Sequence, residues 1–244
     1  MASIVILIPA RYGSSRFPGK PLAKIRGISM IERVYTNCKN SGFQTAVVTD
    51  NNEIEEHVKK FGGNVLRVDD DVPSGSERIA LAYDRYYKNK SVDLVINVQG
   101  DEPLLQGDVL KELAKFHLNS AYPIATLIRP RKSSEEDFKN PNVVKALWAE
   151  KTGSCLYFSR QSIPYDRDGG REYDWFQHVG VYSYKPEALL QFVKLPASKH
   201  EELERLEQLR ALDHGLSIGA IQTTQKLIGV DVPEDIQKVE GALK

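Results

Sequence analysis

The sequence predicts an α/β fold, with a doubly wound, mostly parallel (Rossmann-like) sheet and a smaller antiparallel β/α lobe. Up to about residue 128, short apolar, β-branched runs alternate with helix-length amphipathic segments, which is typical of a parallel sheet covered by helices on both faces. Beyond that point, aromatic-rich runs follow one another closely and are joined by Gly and Pro, as in antiparallel hairpins. A chain of 244 residues is long enough to bury a sizeable core.

The first half contains four predicted strands separated by three predicted helices. The strands are the apolar segments 3–10, 45–50, 64–68 and 93–98, and the helices are the amphipathic segments 28–42, 51–63 and 74–87. Open parallel sheets bind ligands at the carboxyl ends of their strands. We therefore expect the loop after the first strand, "PARYGSSRFPGKPL", and the loop after the fourth, "QGDEP", to border one crevice.

The second half predicts hairpin strands, a helix, one more strand and a last helix. The strands are expected at 143–148, 154–168, 178–184 and 216–222, with a helix within 200–215 that ends at Gly215 and a final helix opened by Pro233. No low-complexity linker separates the halves. We therefore predict one domain over 1–244, in which a core of about 1–128 is followed by a lobe of about 129–220 and 221–244 returns to the core.

Composition excludes some classes of partner. Lys plus Arg and Asp plus Glu each number 33, so the net charge is zero and gives no overall attraction for nucleic acid or an anionic membrane. Cys38 and Cys155 lie far apart in no metal-ligand spacing and are expected to be buried free thiols. No run approaches the ~20 apolar residues of a membrane span. We expect a cytoplasmic protein that binds neither nucleic acid nor membrane.

The loop after the first strand concentrates positive charge. The first 31 residues carry five basic side chains and no acidic one, so a local anion is expected there. A P-loop does not fit, because five residues separate Gly13 from Gly19 and Pro21 stands where a hydroxyl residue is needed. The G-x-G-x-x-G of dinucleotide sites is absent as well. A polyphosphate on Arg11, Arg16 and Lys20 is the favoured interpretation, and a solvated basic loop is the alternative.

Eight segments, in order along nearly the whole chain, resemble one known family. They are "IPARYGSSRFPGKPL" (8–22), "VTDNNEIEEHV" (48–58), "SGSER" (74–78), "VINVQGDEP" (95–103), "LYFSRQSIPYDRD" (156–168), "HVGVYSY" (178–184), "LEQLRALDHG" (206–215) and "GVDVPEDI" (229–236). The chain resembles the nucleotidyltransferases that activate sugars, and within them the family acting on 3-deoxy-D-manno-octulosonate (Kdo). The resemblance implies a nucleotide-diphospho-sugar transferase-like fold.

The resemblance also implies an activity. Such enzymes transfer CMP from CTP to the anomeric hydroxyl of Kdo with Mg²⁺, giving CMP-Kdo and pyrophosphate. It implies a homodimer that serves lipopolysaccharide biosynthesis, with lobe 129–220 binding the sugar and the second subunit. The same chemistry on 8-amino-Kdo or on a sialic-acid-like sugar remains an alternative, as does a catalytically silent nucleotide-binding regulatory protein.

Site residues follow from the matching segments. The resemblance makes Arg11, Lys20, Asp101 and Asp231 catalytic, with Asp101 and Asp231 as the ligands of Mg²⁺, an ion that prefers carboxylate oxygens. Without the resemblance, Asp101 would read as a turn residue before Pro103 and Asp231 as an acid at a helix start.

The same segments imply residues for each substrate. The nucleotide-binding set comprises Ala10, Arg11, Gly13, Ser14, Arg16, Lys20, Ser74, Arg78 and Gln99, of which Ala10, Ser74 and Gln99 match positions that face the cytosine and ribose. The sugar-binding set comprises Arg160, His178, Tyr182, Glu207 and Gln208.

Some of these residues have structural alternatives. Arg78 could instead form a surface pair with Glu77 or Asp71, and His178 could be a satisfied core histidine. Glu207 and Gln208 could form a solvated helix flank. The remaining histidines, which have no motif around them, are expected on helix surfaces: His57, His117, His200 and His214.

One residue departs from the family pattern. Relatives usually carry Thr at the position of Val232, where its hydroxyl caps the following helix. Val232 has no such acceptor, which should cost on the order of 1 kcal/mol. We expect Asp235 to reach back and offset part of that loss.

Overall fold

The computed structural model of the protein describes residues 2–13 and 16–243. The chain forms two compact units, one of Met1–Ala114 with Lys226–Lys244 and the other of Lys115–Gln225. Ser14, predicted to bind the nucleotide, lies outside the described residues.

The first unit is built on a parallel sheet, as predicted. Its elements up to residue 118 are β1 (Ile4–Pro9), β2 (Lys24–Ile25), β3 (Ile28–Ser29), α1 (Met30–Lys39), β4 (Gln44–Thr49), α2 (Asn52–Lys60), β5 (Val65–Arg67), α3 (Gly75–Tyr86), β6 (Leu94–Asn97) and α4 (Gly107–Leu118), with a 3-10 turn at Lys20–Leu22. The strand order is β5-β4-β1-β6, and each neighbouring pair is parallel. The apolar runs are buried as continuous strands, which is the pattern from which the parallel sheet was predicted.

Polar residues begin the helices that follow these strands. Ser29, Asn51 and Ser74 each accept a hydrogen bond from the backbone N–H three residues further on. These caps satisfy N–H groups that the first helical turn leaves unpaired. Because β1 and β6 are parallel neighbours, the loops after Pro9 and after Asn97 emerge at the same edge of the sheet.

The second unit carries a mostly antiparallel sheet, also as predicted. Its elements are β7 (Ile124–Lys132), β8 (Lys145–Ala149), β9 (Ser154–Ser159), β10 (Asp174–Tyr184), α5 (Pro186–Phe192), α6 (Lys199–Glu204), α7 (Gln208–Asp213) and β11 (Ile218–Gln222). The strand order is β10-β7-β11-β9-β8, and β8 also pairs with β10. Only the β7 and β11 pair of this unit is parallel among the described strands.

The predicted helix within 200–215 is two helices, α6 and α7. α6 ends at its C-cap Arg205, whose φ of 54° lies in the left-handed region. The Arg160 guanidinium donates to the carbonyls of Glu204 and Arg205 at this break and so satisfies carbonyls that the end of α6 leaves without a helical partner. Sequence periodicity gave no sign of this break.

The final helix, α8 (Asp235–Ala242), begins two residues later than predicted. Pro233 lies in the preceding turn, where Asp235 N–H donates to the Val232 carbonyl. The expected compensation for Val232 is confirmed, since Asp235 Oδ2 accepts from the backbone N–H groups of Asp231 at 3.0 Å and Val232 at 3.2 Å.

Both cysteines are buried free thiols, as predicted. Burial raises the pKa of Cys38 and of Cys155, so neither thiol ionises readily. Across the described residues, none of the helices is both long and apolar enough to cross a membrane.

His117 does not lie on a helix surface, and that expectation was wrong. Its side chain is fully buried, with Nδ1 2.7 Å from Ser183 Oγ and Nε2 2.9 Å from the Tyr122 carbonyl. A carbonyl can only accept, so Nε2 carries the proton and the ring is neutral. Burial lowers the pKa of His117 to about 4.

We expect the stability of the fold to fall between pH 6.5 and pH 4. The unfolded chain protonates His117 near its ordinary pKa of 6.5, whereas the folded chain does so only near 4. Stability is therefore complete above pH 6.5, and His117 costs about 3 kcal/mol by pH 4. Urea unfolding at a series of pH values measures this slope.

The matched variant is His117→Gln, whose amide can keep both hydrogen bonds without titrating. It should reduce the pH dependence by the part that His117 contributes and retain the part due to His178, whose pKa burial also lowers, while the exposed His214→Gln should leave the dependence as in the wild type. Equal slopes in the wild type and His117→Gln would contradict the assignment.

Candidate active site

A cavity of about 260 Å³ lies at the carboxyl end of the first unit's sheet. Both loops that were expected to share a crevice line it, together with segment 72–75 and Arg78. Nine of the predicted residues border it: Ala10, Arg11, Arg16, Lys20, Ser74, Arg78, Gln99, Asp101 and Asp231. Gly13 lies on the same loop without lining the cavity.

Two aspartates meet the cations of the loop at this cavity. Lys20 Nζ lies 2.6 Å from Asp101 Oδ2, 2.9 Å from the Val230 carbonyl and 4.0 Å from Asp231 Oδ1. Arg16 lies 3.3 Å from Asp231. One ammonium group thus reaches both aspartates, although they are separated by 130 positions in the chain.

A turn at Gly19 brings Lys20 to the aspartates. Gly19 has a φ of 68°, a conformation that favours glycine, and its N–H donates to the Tyr12 carbonyl at 3.0 Å. A 3-10 turn with Pro21 follows directly. The loop therefore folds back on itself and directs Lys20 into the cavity.

A small apolar cluster holds the loops together from beneath. Its buried members include Val230 and Val239, and Phe17 and Leu104 pack against them. Phe17 lies in the basic loop, Leu104 follows QGDEP and Val230 precedes Asp231, so the cluster ties together the three segments that carry the charged groups. Helix α8 supplies Val239 and thereby buttresses the site.

Gly100 permits the close approach of the aspartate loop to β1. A Cβ at this position would lie 3.2 Å from the Pro9 carbonyl oxygen, so a side chain there would push the loop outwards. Asp101 follows directly and is thereby held beside the basic loop.

Glu102 is a third acid near this charge cluster, and sequence reasoning missed it. Burial, and then Asp101, raise the pKa of its carboxyl to about 8. Its Oε2 is shielded from solvent and has no hydrogen-bond partner within the described part of the chain. Glu102 does not line the cavity, and the signal that could have pointed to it is its position next to Asp101 in a loop that the fold buries.

Arg78 is buried, so its proposed surface pairing with Glu77 or Asp71 is wrong. Its guanidinium lies 2.8 Å from Asp50 and donates to the Val68 carbonyl at 2.5 Å. These contacts fix the backbone that leads into segment 72–75 of the cavity wall. Binding of the nucleotide by Arg78 stays a prediction.

Ser74 and Gln99 have different local roles. Ser74 Oγ accepts from Glu77 N–H at 3.2 Å and caps α3, which orients the start of that helix towards the cavity. Among the described residues, the Gln99 side chain makes one long contact, of 3.5 Å to Asn97, so its amide is available to a ligand as both donor and acceptor.

Four of the five predicted sugar residues lie near one another in the second unit: His178, Tyr182, Glu207 and Gln208. The His178 ring is 5.4 Å from the Tyr182 ring and 4.8 Å from the Phe158 ring. Burial raises the pKa of Tyr182 well above its ordinary value, and the nearby Glu207 carboxylate contributes to that rise. Gln208 follows Glu207 at the start of α7 and is almost fully buried. The solvated helix flank that was the alternative for Gln208 is therefore wrong.

His178 is neutral and has a defined tautomer. Thr126 Oγ1 has a single proton, which it donates to the nearest acceptor, the Val181 carbonyl at 2.8 Å, so at 3.2 Å it accepts from His178 Nε2. Nδ1 is then left as an acceptor. Burial lowers the pKa of His178 to about 3, and the ring cannot supply a cation near neutral pH.

Arg160, the fifth predicted sugar residue, follows β9 directly. Its Nε and two terminal nitrogens donate to the carbonyls of Glu204, Pro141 and Arg205, and its backbone N–H donates to the Glu204 carboxylate at 2.9 Å. These contacts hold the guanidinium in place, and the Glu204 carboxylate offsets part of its positive charge.

Asp235 stabilises the loop that carries Asp231, and we expect Asp235→Ala to lower the free energy of unfolding by about 1 kcal/mol. The substitution removes the acceptor of two backbone N–H groups. Asp235→Asn, which keeps an acceptor oxygen, should lose less. Unfolding in urea compares the three proteins, and an unchanged midpoint for Asp235→Ala would show that the cap contributes nothing.

Comparisons with known proteins find relatives that match nearly the whole chain. A family model described as cytidylyltransferase matches residues 5–218. The chain is 44% identical to "3-deoxy-manno-octulosonate cytidylyltransferase" of Cytophaga hutchinsonii, covering 97% of this chain and 96% of that protein. It is 40% identical to the protein of the same name from Thermodesulfovibrio yellowstonii, covering 98% and 97%.

Solved structures show the same similarity. The structure of a CMP:2-keto-3-deoxy-manno-octonic acid synthetase complexed with CTP has a TM-score of 0.90 and 35% identity, covering 99% of this chain and 98% of that chain. HddC from Yersinia pseudotuberculosis has a TM-score of 0.68 at 15% identity, covering all of both chains, and shows the fold alone.

The fold is that of the nucleotidyltransferases, and its cationic cavity with two aspartates lies at the edge of the sheet where such folds bind ligands. Several relatives that are about 40% identical over nearly the full length show which family of nucleotidyltransferases this is. The chain belongs to the cytidylyltransferase family, among its 3-deoxy-manno-octulosonate cytidylyltransferases.

Proposed function

We propose that the protein transfers CMP from CTP to the anomeric hydroxyl of Kdo and releases pyrophosphate, in a reaction that requires Mg²⁺. The observation that carries the proposal is the contact of Lys20 with Asp101 and Asp231 at a cavity edged by basic side chains. The names of the full-length relatives and the CTP complex of the similar structure support the choice of substrates.

The basic loop is suited to the triphosphate. Arg11, Arg16 and Lys20 border the cavity, and guanidinium and ammonium groups bind phosphate oxygens through charge-assisted hydrogen bonds. In this proposal Lys20 and Arg11 also stabilise the negative charge that develops on the departing pyrophosphate. Arg16 neutralises Asp231 until the nucleotide competes for it.

Gly13, Ser14 and the cavity wall complete the nucleotide site in this proposal. The backbone of the glycine-containing loop allows close approach of phosphate oxygens. Ala10, Ser74 and Gln99 lie on the wall, where the Gln99 amide offers the donor and acceptor that reading a pyrimidine edge requires. Arg78 supports this wall through Asp50 and Val68.

Asp101 and Asp231 fit a magnesium site that is shared with the substrate. Their side chains keep 30% and 57% of their surface exposed, so both can turn to a ligand in the cavity. The described residues contain no group of three or more acidic, His or Cys side chains that could enclose a metal. Mg²⁺ is commonly held by one or two carboxylates together with substrate phosphates, and this donor set matches that habit.

Bound Mg²⁺ would neutralise phosphate charge and lower the pKa of an attacking hydroxyl. The residues of the chain then have distinct tasks. Asp101 and Asp231 hold the ion, Lys20 and Arg11 hold the triphosphate, and alignment of the reacting groups supplies the remaining rate enhancement.

The second unit is proposed to bind the acidic sugar. Arg160 provides a cation for its carboxylate. His178 Nδ1 accepts from a hydroxyl, and Tyr182, Glu207 and Gln208 supply further polar contacts. This mixture of one cation with several donors and acceptors suits a sugar acid rich in hydroxyls.

The wider context follows from the same proposal. We propose that the first unit is the nucleotide-binding core and that the second binds the sugar and mediates homodimer formation. The product would serve lipopolysaccharide biosynthesis. Cytoplasmic location is proposed because the substrate CTP is a cytoplasmic metabolite and both cysteines are free thiols.

The test is release of pyrophosphate by the purified protein from CTP, with and without Kdo and with and without Mg²⁺. We expect release only when CTP, Kdo and Mg²⁺ are all present. The 8-amino analogue and a sialic acid are assayed in parallel, and preference for either would replace Kdo as the substrate. No sugar-dependent release at any metal concentration, with CTP still binding, would instead support a silent nucleotide-binding protein.

A further inference from the structure

Two buried donors in the second unit have no acceptor in the part of the chain that the structure describes. Trp148 Nε1 and Gln208 Nε2 are both shielded from solvent, and neither has a hydrogen-bond partner among residues 2–13 and 16–243. Buried N–H groups are nearly always paired, and one that stays unpaired is destabilising. The other tryptophan of the chain follows that rule, since fully buried Trp175 donates from Nε1 to the Lys132 carbonyl at 3.0 Å.

Trp148 lies on the sheet face that carries His178. Its ring packs edge to face on the Phe176 ring with centroids 5.0 Å apart. Phe176 and His178 are two residues apart on β10, ahead of the irregularity between Val179 and Tyr182, so their side chains point to the same face of the sheet. The indole is therefore on the side of the sheet that the sugar residues occupy.

Tyr182 and Glu207 extend this face towards α7. Trp148 is the cross-strand partner of Cys155. The Cys155 thiol and the Glu207 carboxylate both contribute to the raised pKa of Tyr182, so both are near the phenol. Trp148 is thus linked to the predicted sugar residues through Phe176 and His178 on β10 and through Cys155 on β9.

We propose that Trp148 is a further sugar-binding residue, whose indole N–H donates a hydrogen bond to an oxygen of the acidic sugar. The proposal rests on the proposed function. An indole nitrogen can donate but cannot accept, so its partner must be a hydroxyl, ring or carboxylate oxygen. A group that only donates distinguishes an oxygen atom from a group without a free lone pair. An aromatic ring that carries one polar atom is also well suited to the hydroxyl-rich face of a sugar.

The test compares Trp148→Phe with the wild type in the Kdo-dependent release of pyrophosphate from CTP. Phe removes the N–H and keeps a ring to pack on Phe176. We expect the KM for Kdo to rise about tenfold, with the KM for CTP changed less than about twofold. This separation of the two KM values distinguishes a sugar contact from a general loss of structure.

Trp175→Phe is the matched control. It removes the N–H that is already bonded to Lys132, so we expect a lower Tm and an unchanged KM for Kdo. The chain has only two tryptophans, so this variant also leaves Trp148 as the sole indole fluorophore. The emission of Trp148 should change on titration with Kdo. If Trp148→Phe does not fold, this fluorescence measurement tests whether Trp148 contacts the sugar.

The outcomes of these experiments distinguish the proposed role of Trp148 from the proposed function on which it rests. A wild-type protein that releases no Kdo-dependent pyrophosphate would overturn the proposed function and this inference with it. An active wild type, together with an unchanged KM for Kdo in folded Trp148→Phe, would overturn this inference alone. If that variant does not fold, emission of Trp175→Phe that is insensitive to saturating Kdo would do the same.

Discussion

Replacing Asp101 with asparagine is expected to lower kcat about a thousandfold. The substitution keeps the size of the side chain and removes the negative charge with which Asp101 binds Mg²⁺ in the proposed function. The free energy of unfolding should change by less than about 1 kcal/mol, because the ion pair of Asp101 with Lys20 is partly exposed and Lys20 retains the Val230 carbonyl. Steady-state kinetics over a range of Mg²⁺ concentrations, together with thermal unfolding, measure both effects.

The matched control for this variant is Asp108→Asn. Asp108 pairs with Lys111 on the surface and its side chain is 83% exposed, so the same chemical change there should leave kcat and Tm unaltered. A large fall in the Tm of Asp101→Asn would show that Asp101 is a structural residue. Retention of full activity would remove it from the metal site.

The parallel sheet of the first unit could be predicted from the sequence because strands that are buried on both faces consist of nearly continuous apolar residues. β1 and β6 are almost entirely apolar and five of the six residues of β4 are buried, and strands of that kind rarely occur outside a helix-covered sheet. The convergence of the loops after β1 and β6 followed from topology alone, since parallel neighbours end at the same edge. No knowledge of side-chain contacts was needed.

Contacts distant in sequence could not be predicted in this way. Arg78 pairs with Asp50, and nothing in the residues around either one indicates the other. α6 ends at its C-cap Arg205, where Arg160 donates to the carbonyls of Glu204 and Arg205, and helical periodicity does not reveal this distant partner. His117 can be buried because both of its ring nitrogens form hydrogen bonds, one with Ser183 and one with Tyr122. In each case the polar partner is one that the fold brings close.

The roles of the site residues required more than periodicity. The spacing of Gly13, Gly19 and Lys20 excluded two known phosphate loops without identifying a third. The resemblance then assigned Asp101 and Asp231. The structure brings those two acids to a single ammonium group, while Glu102 stayed unnoticed because a buried carboxyl and an exposed one have the same letter in a sequence.

Lys20→Ala is expected to weaken the binding of CTP about 100-fold, since the proposed charge-assisted contacts with phosphate oxygens are lost. Binding of Kdo should change little. Isothermal titration with each substrate separates the two affinities. Lys24→Ala is the control, because Lys24 lies near Lys20 in the chain and is exposed, and its removal should change neither affinity by more than about twofold.

The same substitution should have the opposite effect on Mg²⁺. Lys20 lies 2.6 Å from Asp101 and 4.0 Å from Asp231, so its positive charge opposes the entry of a divalent cation between them. Without the ammonium group, the free protein should bind Mg²⁺ more tightly while it binds CTP more weakly. A variant in which both affinities fall together would mean that Lys20 only maintains the shape of the cavity, and unchanged CTP affinity would remove the loop from the nucleotide site.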